Sequence, residues 1–387
     1  MVSAMKKLAI IGASYLQLPL IKKAKEMGIQ THVFAWECGD VGEKEADHFY
    51  PISIVEKDNI LDECKKIGID CICSIASDLA VLTVCYVAEK MGLVSNGIGS
   101  SLISVNKYEM KKAFVKNDVP AARCKLASKD DYPDVSDMKY PLIVKPTDRS
   151  GSRGVTRIDS PGEDIIPAID RAIEQSLEKK ALVEEYVFGD EYSVECVSYE
   201  GKHTLLSITK KYTTGNPHYI ETGHMEPADL SDEMYEKIGR IVMNGLDALK
   251  IRYGASHSEL KIHDGDVRII EIGARMGGDM IGSTLVKLST GYDFVKAVID
   301  ISLGSKPDEF VKGKPRFAAI RYILDEEGKA CLEAIKDQHK DILFECDDES
   351  VDAASVFDSS SRKGYYIIVS DDKNLVLNLM PAESKDY

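Results

Sequence analysis

Between residues 7 and 91, short apolar runs alternate with stretches of helical periodicity, and this alternation narrows the fold more than any other feature of the chain. Residues 7–11, 31–35 and 70–75 read as strands, while residues 18–27, 60–67 and 80–91 carry apolar side chains at helical spacing. Strands separated by helices predict a parallel sheet with right-handed crossovers. The first turn, Gly12-Ala13-Ser14-Tyr15-Leu16-Gln17, opens like a dinucleotide-binding turn but lacks its second and third glycines. A plain strand-to-helix connection is therefore the stronger reading there.

With 387 residues the chain exceeds one core, and a second unit starts near Gly97. Helical spacing recurs over 107–116, 165–177, 233–249 and 293–303, and strands are expected at 142–145, 181–185, 191–197, 203–209, 254–262 and 267–272. The last two are joined by the tight turn His263-Asp264-Gly265-Asp266. Strand-like runs at 316–324 and 364–369 predict a small closing domain over 316–387, which leaves 98–315 as the main unit. The stretch from Tyr212 to Pro227 reads as a loop, suited equally to an ordinary exposed connection and to a lid or an amine-recognising wall.

A formal charge of -15 repels nucleic acid and anionic membrane surfaces alike. No apolar run approaches the roughly 20 residues that cross a bilayer, and no secretory leader is expected. Nine cysteines without CxxC spacing point to reduced thiols in the cytoplasm.

Three segments carry chemistry. In Tyr140 to Val155 a strand delivers Lys145 into a loop holding Ser150, Gly151, Ser152 and Gly154. Glycines let main-chain amides approach phosphate oxygens and the lysine supplies a point charge, although a flexible hairpin loop explains the segment equally well. In Leu182 to Glu195 a strand runs into Glu184 and Glu185, then Val187, a glycine turn and Glu191. A chain leaving a strand in this way can offer its backbone to an adenine edge and a carboxylate to ribose; solvated surface acids are the plainer alternative. In Gly254 to Asp279, Glu259 and Glu271 each interrupt an apolar alternation on adjacent antiparallel strands, which puts both acids on one face. Neighbouring buried carboxylates need a cation, and hard oxygen ligands suit magnesium or manganese. Plain surface acids in a hairpin are the alternative, made the weaker one because Arg275, Gly277 and Gly278 follow at once. His257 reads as a phosphate-facing or a core histidine, and Ser77-Asp78 as a rim contact or a helix cap.

Taken in order, Lys107 before a helix, Ile-Val-Lys145 with its glycine loop, Val-Glu-Glu-Tyr-Val-Phe-Gly-Asp-Glu-Tyr-Ser-Val, His-Ser-Glu259 and Glu271-Ile-Gly-Ala-Arg-Met-Gly-Gly resemble the ATP-grasp superfamily, with the look of its carboxylate-amine, L-amino-acid ligase branch. The resemblance implies an α/β architecture: a Rossmann-like domain over 1–97, an ATP-grasp α+β region over 98–315 with a mobile lid at about 124–190, and a small C-terminal α/β domain over 316–387. It implies ATP and magnesium as cofactors, and a ligase that makes an acyl phosphate from a small carboxylate and passes it to an amine. Lys107 and Lys145 would meet the phosphates, with Ser150 to Gly154 closing over them; Glu184, Glu185 and Val187 would line adenine, and Glu191 the ribose. Glu259 and Glu271 would hold the metal, and Arg275 would join Lys145 in the chemistry. His218, Glu221, His224, Arg275, Gly277 and Gly278 would face the substrates. One departure is Gly273, where many relatives of that kind have asparagine. A bicarbonate-using carboxylase or carbamoyl-phosphate-type enzyme, a nucleotide-binding regulator, and a homodimer stay open.

Overall fold

The computed structural model describes residues 5–151, 153–216, 219–349, 356 and 359–382. Its first unit is a four-stranded parallel sheet of β1 (Lys7–Ile11), β2 (Gln30–Phe34), β3 (His48–Tyr50) and β4 (Cys71–Cys73), ordered β3-β2-β1-β4. Helices α1 (Leu18–Glu26), α2 (Val41–Glu45), α3 (Lys57–Ile67) and α4 (Asp78–Met91) connect and flank it. Leu8 to Ile11 are wholly buried, as expected for a parallel strand covered on both faces. Both α3 and α4 stop at a left-handed glycine, Gly68 and Gly92.

Two helices follow, α5 (Ile98–Val105) and α6 (Lys107–Lys116). The Asn106 side chain caps α6 by accepting from the amides of Tyr108 and Glu109, which fixes Lys107 at the first position of the helix. A small antiparallel sheet comes next, from β5 (Cys124–Ser128), β6 (Leu142–Pro146), β7 (Thr156–Ile158) and β8 (Lys180–Glu185), ordered β5-β8-β6-β7. It packs on α7 (Ile166–Gln175) through Leu142, Val144, Ala168, Ala172 and Val183.

The largest sheet is antiparallel and has eight strands in the order β13-β12-β9-β10-β11-β14-β16-β15. Its members are β9 (Asp190–Tyr199), β10 (Lys202–Thr213), β11 (Glu221–Glu226), β12 (Gly254–His263), β13 (Asp266–Gly273), β14 (Phe317–Tyr322), β15 (Leu343–Asp347) and β16 (Tyr365–Ser370). Helices α8 (Asp232–Ala248), α9 (Val286–Thr290), α10 (Phe294–Ser302), α11 (Glu326–Gln338) and α12 (Lys373–Asn378) complete the chain. The strands after Pro315 continue this sheet, because β14 pairs with β11.

The expected loop at 212–227 is corrected by the structure. β10 runs through Thr213 and β11 occupies Glu221–Glu226 in the middle of the large sheet. The segment hid its strand character because His224 and Glu226 are polar yet wholly buried. Glu226 survives there with the Thr209 hydroxyl donating to it at 2.7 Å, and burial pushes its carboxyl up to about 8. None of the nine cysteines is in a disulfide. Among the described residues no helix is long and apolar enough to cross a membrane.

Candidate functional site

The small sheet and the large sheet face each other across a cleft of about 190 Å³. Lys107, Lys145, Ser150, Gly151, Glu184, Glu185, Val187, Glu191, Glu259, Glu271 and Arg275 all line it, along with Glu221. Segments more than 150 residues apart therefore converge on one wall. Gly154 does not line the cleft; its Cα turns toward Pro146 and Gln175. Ser152 and His218 lie outside the described residues.

At one end the cleft is built on buried charge. Lys145, at the end of β6, is ion-paired with Glu184 of β8, and Lys111 of α6 approaches the other Glu184 oxygen at 3.3 Å. Burial alone would raise the Glu184 carboxyl, but the two ammoniums outweigh it and bring it down to about 2. Beyond β8, Tyr186 forms a platform: Arg157 and Lys261 each stand 4.7 Å from its ring centre. Gly189 then permits a close turn, since a side-chain carbon there would lie 2.2 Å from the Ile262 carbonyl oxygen. The turn delivers Glu191 opposite Lys261 on the neighbouring strand.

Glu259 and Glu271 are register partners on β12 and β13, so the two carboxylates project from directly opposed positions. Each has a lysine beside it. Lys107 is 3.0 Å from Glu271 and also donates to the Arg149 carbonyl at 2.7 Å, tying α6 to the glycine loop. Lys211 of β10 lies 2.8 Å from Glu259 and 3.0 Å from Glu191. Burial would lower the Lys211 ammonium, yet Glu259, Glu191 and Glu221 hold it well above the usual lysine range. Among the described residues no group of three or more His, Cys, Asp and Glu side chains gathers as a metal cluster. Two opposed carboxylates still fit a hard divalent cation whose remaining ligands are phosphate oxygens and water.

Arg275 is held from the first unit. Its guanidinium donates twice to Asp78, at 2.8 and 2.9 Å, so the residue at the start of α4 is the seat of the arginine. Burial opposes the charge on Asp78, and Arg275 more than offsets it, leaving the carboxyl below its usual range. Gly273 makes room for this pair: a side-chain carbon there would lie 3.0 Å from Asp78 Oδ1 and 3.2 Å from Arg275 Nε.

Under Glu259 lies a second buried pair. His257 Nδ1 is bonded to Glu195, and its Nε2 is 3.4 Å from Glu259. Burial would lower the imidazolium, but Glu195 outweighs that and carries it up to about 9. The other Glu195 oxygen accepts from the Gly277 amide at 3.0 Å, which pins the turn beside Arg275.

Sequence reasoning missed Lys111, Glu195, Lys211, Asp279 and Arg362. Lys211 had a readable signal, a lysine at the end of a strand whose neighbours carry acids; Arg362, from a stretch without periodicity, had none.

Residues 138–283 match the family model described as the ATP-grasp domain. Alanine–anticapsin ligase of Bacillus subtilis (strain 168) is 25% identical over 313 residues, 73% of this chain and 65% of that protein. The matched region thus spans a little under two thirds of that relative. D-alanine–D-alanine ligase of Actinobacillus succinogenes is 26% identical over 226 residues, 55% of this chain and 72% of that protein. Among solved structures, an L-amino acid ligase from Bacillus licheniformis superposes with a TM-score of 0.78 at 21% identity, over 98% of this chain and 99% of that one, and shares the fold.

Proposed function

Because the chain carries an ATP-grasp domain, we propose that it uses ATP to convert a small carboxylate, an amino acid, into an acyl phosphate and then joins it to an amine, releasing ADP and phosphate. The observation that carries this reading is the opposed pair Glu259 and Glu271 at one end of the lysine-lined cleft.

Adenine sits between the small and large sheets, against the backbone from Glu184 to Val187, and Glu191 accepts from the ribose hydroxyls. Lys107, Lys145 and Lys211 take the phosphate oxygens, with Ser150, Gly151 and the rest of the glycine loop closing over them. Glu259 and Glu271 would hold magnesium or manganese, which when bound would neutralise the terminal phosphates. The substrate carboxylate attacks the terminal phosphorus in line, ADP leaves, and Arg275 offsets the charge on the transferring group. The amine nitrogen then attacks the carbonyl carbon, phosphate departs and the nitrogen loses a proton. Glu221, His224 and Gly278 bound the space where the two substrates meet, and Gly277 supports it from behind through its bond to Glu195. A closed glycine loop keeps water from the acyl phosphate.

The test is ADP release measured across pairs of amino acids and other small acids and amines. Release that needs both members of a pair supports the reading. Silence for every pair, or release that depends on bicarbonate instead of an amine, overturns it.

A further inference from the structure

The turn from Gly12 to Gln17, which opens like a dinucleotide-binding turn, is not used by the chemistry above. It follows β1, and the strand order β3-β2-β1-β4 puts the reversal of winding between β1 and β4. In open α/β sheets that reversal leaves a crevice at the carboxyl ends of the strands, where ligands bind. Here a side chain of the protein fills it. Gln17, 2% exposed, accepts from the Ile75 amide at 3.1 Å and donates through Nε2 to the Ile75 carbonyl, so one side-chain amide grips both main-chain groups of a single residue. Gly12 leaves room for it, since a side-chain carbon there would lie 3.1 Å from Gln17 Cγ. Ser74 fastens the same junction by donating to the Ile11 carbonyl at 2.6 Å.

The segment gripped by Gln17 leads straight to Asp78. Ala76 has a φ of 55°, in the left-handed region that a residue with a side chain rarely adopts, and its amide donates to the Met276 carbonyl at 3.2 Å. The same Met276 oxygen accepts from Arg275 Nη1 at 3.2 Å. Two residues after Ala76, Asp78 takes the other two guanidinium bonds. Ala76 to Asp78 and Arg275 to Met276 therefore close a ring of bonds between the first unit and the large sheet. A left-handed alanine persists only where its surroundings over-determine it, and here Gln17 acts from one side and Met276 from the other. Ala76 and Arg275 both line a chamber of about 210 Å³ beside the nucleotide cleft, whereas Gln17 lines neither cavity.

Resting on the ligase reading above, we propose that Gln17 is a positioning residue for phosphoryl transfer: by holding Ile75 it keeps Ala76 in its left-handed turn and Asp78 where it seats Arg275. The first unit has turned its ligand crevice into a support for a guanidinium that belongs to another part of the chain. Without the grip, Ala76 relaxes toward negative φ, Asp78 shifts with it, and Arg275 loses its fixed aim at the transferring group. The nucleotide contacts are untouched, because Gln17 reaches none of them.

Gln17→Met removes both bonds at nearly constant length. ADP release is measured with the acid and amine pair that is fastest in the screen above, at a temperature where circular dichroism shows variant and wild type equally folded. In Gln17→Met, kcat is expected to fall about 30-fold with KM for ATP within about twofold. Adding Ala76→Gly, whose backbone enters the left-handed region without strain, is expected to raise that kcat at least about fivefold. A side chain that only fills a gap would not be rescued from residue 76. Gln17→Glu supplies a second readout: its protonated carboxyl still donates to the Ile75 carbonyl, the ionised form sets an acceptor against it, and kcat relative to wild type should decline as pH rises. An unchanged kcat in Gln17→Met, no recovery on adding Ala76→Gly, or a wild-type pH profile in Gln17→Glu overturns the inference while ligase activity stands. If Gln17→Met does not fold, the Gln17→Glu profile decides alone. A wild type that releases no ADP with any acid and amine pair overturns the ligase reading and this inference together.

Discussion

Replacing Glu184 with glutamine removes the charge that holds Lys111 and Lys145 under the cleft, and the structure sets the size of the loss. Glu184 is 4% exposed, Lys111 2% and Lys145 7%. The fall of the carboxyl from 4.5 to about 2 corresponds to about 3 kcal/mol of stability at pH 7. Its folded value lies below its unfolded one, so this contribution is complete above pH 4.5 and drains away as pH falls toward 2; about 2 kcal/mol remains at pH 3.5. Burial pushes the Lys111 ammonium below the usual lysine range despite Glu184, so in the variant Lys111 can shed its proton and limit the damage. Breaking a buried pair costs roughly 3–5 kcal/mol, and the lower end is expected. Amide hydrogen exchange in β6 and β8 across a urea series, at pH 7 and pH 3.5, reads the stability of this sheet without requiring the whole chain to unfold in one step. A difference below about 1 kcal/mol at pH 7, or one that widens on acidification, refutes the reasoning.

Glu271→Gln is expected to abolish ADP release while circular dichroism stays unchanged; an unaltered rate would remove the opposed carboxylates from the chemistry. A side-chain carbon at Gly277 would lie 2.7 Å from both Glu195 Oε1 and His257 Nδ1, whereas one at Gly278 meets nothing nearer than 4.0 Å. Turnover should therefore drop by about 100-fold in Gly277→Ala, and an unaltered rate would show that the pinned turn is not needed. Gly273→Asn should displace the Asp78–Arg275 pair and lower turnover at least about tenfold, as Asp78→Asn should. The double variant should fall no further than the worse single one, and strictly additive losses in kinetics would place the two positions in separate roles.

How much of this was legible in the chain depends on whether local pattern and burial agreed. Helix α6 was readable to the residue at Lys107–Lys116, because an asparagine cap and an amphipathic face coincide there. The opposed placement of Glu259 and Glu271 followed from two strands and the turn between them. β11 was not readable, since buried polar residues broke the alternation that marks a strand, and their partners come from elsewhere in the chain: Thr209 for Glu226, Asp279 for His224. Lys111, Lys211 and Arg362 stayed hidden for the same reason, as their value depends on which distant acid each one meets. Gly273 looked like a missing metal ligand in the sequence; in the structure it is also the space that admits Asp78.

That seat for the arginine binds the first unit and the large sheet into one working part. A chimera that exchanges the leading hundred residues for those of a relative would inherit a complete nucleotide cleft and still misplace its guanidinium, unless the graft brought an acid at the start of the same helix. Modularity in this architecture stops at a single carboxylate.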